Sequence, residues 1–412
     1  MLKYYFKIAM AVLRRRKFFT FISLFGISFT LTILIVVTSF MDHLVNASYP
    51  DVNRERNLYA SVLRMQSSKQ GYTSSGPVSF YFIDRYVSTL KTPSKIAFSS
   101  VFVTSSAYVN NKKIPIDIST TNDQYWDVLN FEFLEGKPYT KQQIQNAERV
   151  AVISEETKRK YFGDMPSAVG KYVEADNIQY RVVGVVKSVP VTNIFCYANM
   201  YLPYTLSKAD LNRKDLRGMF SVILQAANKS DLPKIRAEYE TMASKLVSPD
   251  PVMDKIYTYP DGYLEVFTRT FFGKGKESGL GMFYLAMGLL TLLFMLLPTL
   301  NLVNVNISRI MERSSEIGVR KAFGASSGTL VYQFIVENMI LTLIGGAIGI
   351  VLSALIIYSV NSYQLIPNAY LTLNIKVLTY SLLACLFFGL LSGVYPAWRM
   401  SRLHVVSALK AQ

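Results

Sequence analysis

The stretch FFTFISLFGISFTLTILIVVTSFM, Phe18 to Met41, runs for 24 residues without Asp, Glu, Lys or Arg. About 20 apolar residues in a helix cross the hydrocarbon core of a bilayer, so this stretch reads as a membrane span. Three further stretches of at least 18 residues lack charge: Ser278–Ser308, Asn338–Ile375 and Val377–Trp398. The 38-residue one is too long for a single span and divides into a helix over about Phe334–Val360 and an uncharged loop, Asn361–Ile375. The expected architecture is therefore four transmembrane helices, at 18–41, 280–306, 334–360 and 376–398. A cleaved signal peptide is the competing reading of the first, because Val45-Asn46-Ala47 resembles a cleavage site. A signal core spans only about 7–15 residues, however, which favours an uncleaved anchor.

Composition agrees with a chain of two solvents. Across 412 residues, 50% are hydrophobic and only 17% charged, yet 44 Lys and Arg face 28 Asp and Glu. Most of that excess lies in short flanks of the apolar stretches. Residues 1–17 hold six basic residues and no acid; Ile307–Gln333 holds Arg309, Arg313, Arg320 and Lys321; the tail from 399 to 412 holds Arg399, Arg402 and Lys410. The loop Asn361–Ile375 holds none. By the positive-inside rule, both termini and the 307–333 connection are cytoplasmic, and the loop 361–375 and residues 42–277 are exported. The charges thus mark topology, and their position beside membrane spans argues against nucleic acid as a partner. In residues 1–17, Leu2, Phe6, Ala9 and Leu13 form a stripe opposite Lys3, Lys7 and Arg14, the pattern of a helix lying on membrane lipid.

Residues 42–277 read as a soluble α+β domain. Leu58–Arg64, Val78–Leu90 and Ile96–Thr104 suggest strand, helix, strand, and Phe220–Ala226, Leu232–Leu246 and Tyr263–Thr268 suggest the same order again. Between them lie turn signals at Asn110-Asn111 and Asp176-Asn177, a strand-to-helix passage over Val150–Phe162 and a β-branched run over Tyr180–Val186. This predicts two flanking parts, about 50–104 and 206–272, around an inserted β-rich part, about 105–205. With two Cys (Cys196, Cys385) and two His (His43, His404), no disulfide framework or zinc cluster can be assembled, and most His-based catalytic and metal-ligand arrangements are removed.

The 307–333 segment carries the most informative motif. Glu316-Ile-Gly-Val-Arg-Lys-Ala-Phe-Gly-Ala325, followed by Gln333-Phe-Ile-Val-Glu337 and Gly345-Gly-Ala-Ile-Gly349, resembles the signature of the FtsX-like permease family of ABC transporters. Val150–Ser154, Tyr161-Phe-Gly163, Val169-Gly-Lys171 and Arg181–Val186 are similar to the MacB-like periplasmic core domain. Tyr395-Pro-Ala-Trp-Arg399 and Ala408-Leu-Lys410 resemble the family's C-terminal end, so the likeness covers essentially the whole chain.

The resemblance implies an inner-membrane permease subunit, dimeric with a second copy or a paralogue. In this mechanotransmission scheme a cytoplasmic ABC ATPase drives export of a substrate or its extraction from the membrane. It admits a periplasmic adaptor or outer-membrane partner as well. Members of the MacB kind carry an ATPase domain in the same chain, whereas this sequence has no GxxxxGK[ST]; Gly273-Lys-Gly-Lys276 lacks the spacing. The expectation is therefore a non-catalytic chain without a cofactor of its own, ATP and Mg being bound by the partner. Glu316, Ile317, Arg320 and Lys321 are the expected ATPase contacts. Gly345, Gly349 and Ser353, with Gly389 and Gly393, have the four-residue spacing of close helix packing. Glu337, about one turn inside its helix, is either interfacial or paired with a base of the coupling segment, and Pro298 is expected to kink the second span. The alternative within the family is a transmembrane regulator that activates an extracytoplasmic enzyme, although its regulators have a smaller exported domain.

Overall fold

The computed structural model describes residues 17–109, 112–311 and 326–401, with positions 15, 318, 319 and 322–324. In chain order the elements are α1 (Lys17–Val45), β1 (Asn57–Ala60), β2 (Leu63–Gln66), β3 (Thr73–Gly76), α2 (Phe80–Arg85), β4 (Lys95–Ser100), β5 (Val103–Val109), β6 (Lys112–Thr121), α3 (Gln124–Val128), β7 (Phe133–Gly136), α4 (Lys141–Gln145), β8 (Val150–Ser154), α5 (Glu155–Phe162), β9 (Tyr172–Ala175), β10 (Ile178–Val186), β11 (Met200–Pro203), β12 (Phe220–Gln225), α6 (Leu232–Ala243), β13 (Lys255–Thr258), α7 (Tyr263–Phe272), α8 (Leu280–Met311), α9 (Ser327–Ser362) and α10 (Ile375–Ser401). They divide into two compact units. One comprises residues 43–283 with 366–369, and the other the remainder.

The first unit is α+β. Its main sheet runs β1-β12-β4-β6-β11-β8-β10-β7, with β5 paired to β6 and β9 to β10; β13-β2-β3 form a second, antiparallel sheet. Strand β8 (VAVIS) is buried at every position because β11 and β10 flank it on both edges, which explains its unbroken apolar run. Asp176 and Asn177 both adopt positive φ, 52° and 62°, the backbone that a two-residue hairpin between β9 and β10 needs. Ser154 then ends β8 and starts α5, its Oγ accepting from the Thr157 amide at 3.1 Å.

Two expectations are corrected here. Tyr263–Thr268 is helical, within α7, and the third element of that repeat is β13 upstream. The reason is local: the Gly262 amide donates to Glu265 Oε2 at 2.6 Å, closing the first turn, and Tyr263 and Val266 bury one face. Leu58–Arg64 is not one strand; β1 and β2 break at Ser61-Val62 and enter different sheets. The inserted part shares the main sheet with its flanks. The main sheet passes from flank to insertion through the single β4–β6 pair Ser99–Thr121. One apolar cluster also mixes Tyr59, Ala97, Ile223 and Tyr263 from the flanks with Tyr125, Trp126, Val152 and Tyr201 from the insertion.

The second unit is helical. Among the described residues, Lys17–Val45 and Val331–Ser362 are long and apolar enough to cross a membrane. The other two expected spans fall in α8 and α10, whose apolar stretches are shorter, Leu280–Leu296 and Leu378–Leu391. In α8 the polar Asn301, Asn304 and Asn306 dilute the second half. Helix α8 continues through Pro298 without a break in its helical backbone. The expected 1–17 helix and the Asn110-Asn111 turn lie outside the described residues except at Arg15 and Lys17.

The Glu265 carboxylate yields a pH-dependent prediction. Burial raises its pKa, but Arg236, whose Nη2 donates to Oε2 at 2.5 Å, and the Gly262 amide outweigh that, leaving it below the ordinary carboxylate range. A depressed folded-state pKa stabilises above the unfolded value and the benefit disappears as pH falls through the folded value. Glu265→Gln is expected to cost about 1–2 kcal/mol at neutral pH. In melts of the detergent-solubilised protein, its deficit against wild type should close on acidification below about pH 4.

Candidate functional site

In the α+β unit the chain passes out of α1 and, later, into α8, and a buried polar cluster lies at each passage. At the first, Asp51 is fully buried and accepts three hydrogen bonds: from Arg54 Nε at 2.9 Å, Asn57 Nδ2 at 2.9 Å and Tyr59 OH at 2.5 Å. Arg54 Nη1 donates to the carbonyls of Leu44, Val45 and Asn46 at 3.3, 3.3 and 2.7 Å. These are carbonyls that a helix C-terminus leaves without intrahelical partners. The guanidinium also stacks over the Tyr263 ring, 3.5 Å from its centroid. Burial pushes the Asp51 carboxyl above its ordinary range against the opposing pull of Arg54. The pair therefore adds little net stability, but removing Arg54 alone would strand a buried charge at a cost of about 3–5 kcal/mol.

At the second passage, Arg269 grips Asp261 in a two-pronged pair, Nε to Oδ2 at 2.5 Å and Nη2 to Oδ1 at 2.8 Å. Its remaining donors reach the carbonyls of Gly275 and Glu277 at 3.2 Å and Lys276 at 3.4 Å, the segment just ahead of α8. Both clusters meet at β1, where the Tyr59 and Asp261 backbones exchange hydrogen bonds of 2.7 and 3.0 Å. None of Asp51, Arg54, Tyr59, Asp261 or Arg269 stands out in the sequence. The available signal is that Asp51 and Arg54, and Asp261 and Arg269, bracket the α+β domain next to the apolar stretches of α1 and α8.

In the helical unit the small residues occupy contacts that larger ones could not. A Cβ on Gly345 would lie 2.8 Å from Ile27, and one on Gly349 would lie 2.9 Å from the Ser28 carbonyl and 3.1 Å from Leu31. Thr32 Oγ1, besides bonding back to Ser28, donates across to the Gly349 carbonyl at 3.2 Å. Ser353 is fully buried, its hydroxyl bonded back to the Ile350 carbonyl at 2.8 Å. Gly389 of α10 faces Thr342 of α9, whose hydroxyl would overlap a Cβ placed there. Gly393 lies in α10, without a described side-chain environment. Glu337 is buried at 3% exposure.

The expected ATPase contacts Glu316, Ile317, Arg320 and Lys321 lie outside the described residues. The described neighbours are informative: Val319 is 47% and Phe323 87% exposed. Phe323 sits inside the quoted motif, yet a reading built on charge passed over it. Gly324, at φ +89°, and Ser326, whose Oγ accepts from the Thr329 amide at 3.2 Å, then stop one helix and start α9.

Comparison with known proteins places these features. Residues 20–242 match the family described as the MacB-like periplasmic core domain, and residues 288–405 the FtsX-like permease C-terminal family. An uncharacterized ABC transporter permease, YknZ of Bacillus subtilis, is 24% identical over 296 residues, 71% of this chain and 69% of that protein. The macrolide export ATP-binding/permease protein MacB of Escherichia coli is 25% identical over 304 residues, 73% of this chain. The match spans only 44% of the length of that relative.

The packing contacts predict a contrast between neighbouring glycines. Gly349→Val forces a side chain against the Ser28 carbonyl and is expected to cost about 1–3 kcal/mol. For Gly346, a Cβ would meet side-chain methyls of Leu382 at 3.4 Å and Leu31 at 3.8 Å, both ordinary contact distances, so Gly346→Ala should be near neutral. Thermal melts of the purified full chain in one detergent check the difference.

Proposed function

We propose that this chain, which belongs to the MacB-like and FtsX-like family of ABC transporter permeases, works as a non-catalytic, four-span subunit with both termini in the cytoplasm. In this reading a separate ATPase docks on the connection between α8 and α9. Its closure moves those helices, and the exported domain converts the motion into export or extraction of a substrate. A rigid body inserted into a membrane bundle suits such mechanical work, because packed elements move as units between discrete arrangements.

The observation that carries the reading is the exposed, apolar Phe323 in a motif rich in fixed charge. An aromatic flanked by Arg320 and Lys321 is the composition of an interface anchor, suited to an apolar groove with an acidic rim. A dimer is supported by α8: Leu285, Leu289, Leu292, Leu293, Leu296 and Leu300 are all at least 39% exposed, so this apolar surface needs lipid or a second subunit to cover it.

Co-expression with the cognate ATPase tests the docking site. Glu316→Ala with Arg320→Ala, and separately Phe323→Ala, are expected to abolish co-purification while leaving membrane insertion intact; undiminished complex formation would remove the assignment. The span count has its own test. A cysteine in place of Leu365, 67% exposed, should react with an impermeant maleimide from outside the cell, and labelling from the cytoplasmic side alone would refute four spans.

A further inference from the structure

The two arginine clusters have a use beyond holding their own loops. Asp51 accepts from the Tyr59 hydroxyl, and the Tyr59 backbone pairs with Asp261, whose carboxylate holds Arg269. A path of hydrogen bonds, joined through the Tyr59 and Asp261 residues themselves, therefore runs from the carbonyls of Leu44–Asn46 to those of Gly275–Glu277. Every side chain on it is buried or half-buried: Asp51, Tyr59 and Asp261 have 0–3% exposure and Arg54 6%. The Tyr59 ring is wedged between Phe195, stacked at 4.7 Å, and Tyr263, edge-on at 5.5 Å. Tyr263 in turn lies under the Arg54 guanidinium.

We infer that Tyr59 is a positioning residue that locks the passage out of α1 and the passage into α8 to one strand, so that the two move as a single rigid base of the exported unit. The chemistry explains why arginine occupies both places. Its planar fork binds a carboxylate through two nitrogens and has donors left for backbone carbonyls, which lysine cannot reproduce. Burial excludes water that would otherwise compete for those carbonyls and let each loop swing separately. The use of such a base rests on the permease reading above: a loose passage would absorb displacement of a membrane helix, whereas a locked one delivers it to the sheet. The geometry itself does not rest on that reading.

Hydrogen exchange on the full chain in lipid nanodiscs tests the inference. Tyr59→Phe deletes one hydroxyl and keeps the ring packing. Exchange at the Leu44 and Val45 amides should accelerate roughly threefold to tenfold, the effect of one lost hydrogen bond on local opening. The inference requires a similar acceleration at Lys274 and Glu277, whose amides bond to each other's carbonyls. Arg269→Lys, a second variant that retains the charge, should in turn loosen residues 43–46. If each variant affects only its nearer passage, or neither responds to Tyr59→Phe, the shared base is overturned. Wild-type protein that binds no ATPase while showing the coupled exchange would instead refute the permease reading and leave the base intact.

Discussion

A carboxylate removed from water must find all its partners in the protein, and Asp51 does so through Arg54, Asn57 and Tyr59. That requirement organises the start of the exported unit. It turns the chain immediately after α1, places Arg54 against the open carbonyls of the helix end and orients β1 as the edge of the main sheet. A hydrophobic substitute could be as stable, but it would lack the directional bonds that tie these segments in one register. The ion pair serves geometry more than stability.

The same logic applies in the helical unit with different materials. Apolar burial provides little drive for one helix to find another in lipid, so close approach and a few hydrogen bonds carry the contact. Gly345 and Gly349 bring α9 against Ile27, Ser28 and Leu31 of α1, and Thr32 adds a bond to the Gly349 carbonyl. One unit is held by buried charge and sheet pairing, the other by the absence of side chains. Membership of the MacB-like and FtsX-like permeases gives both a common context, the periplasmic-core match falling mainly on the first unit and the permease match on the second.

Much of this was legible in the residues. Uncharged runs marked α1, α8, α9 and α10, the β-branched run at Tyr180–Val186 marked β10, and Asp176-Asn177 marked a hairpin, because each signal is local. Tyr263–Thr268 misled because a six-residue alternation fits a strand as well as a short helix. The Glu265 bond to the Gly262 amide decides between them. The Glu316–Ala325 motif was recognised by resemblance and charge, and exposure drew attention to Phe323 within it.

The sequence by itself determined which segments are apolar enough for a membrane and which family they resemble, since hydropathy and motif spacing act over a few residues at a time. Only the tertiary structure decided that the flanks and the insertion share one sheet, and that Asp51 and Asp261 meet at Tyr59. Those contacts join positions up to about 200 residues apart in sequence, and burial gives such charges meaning only once the fold has excluded water around them.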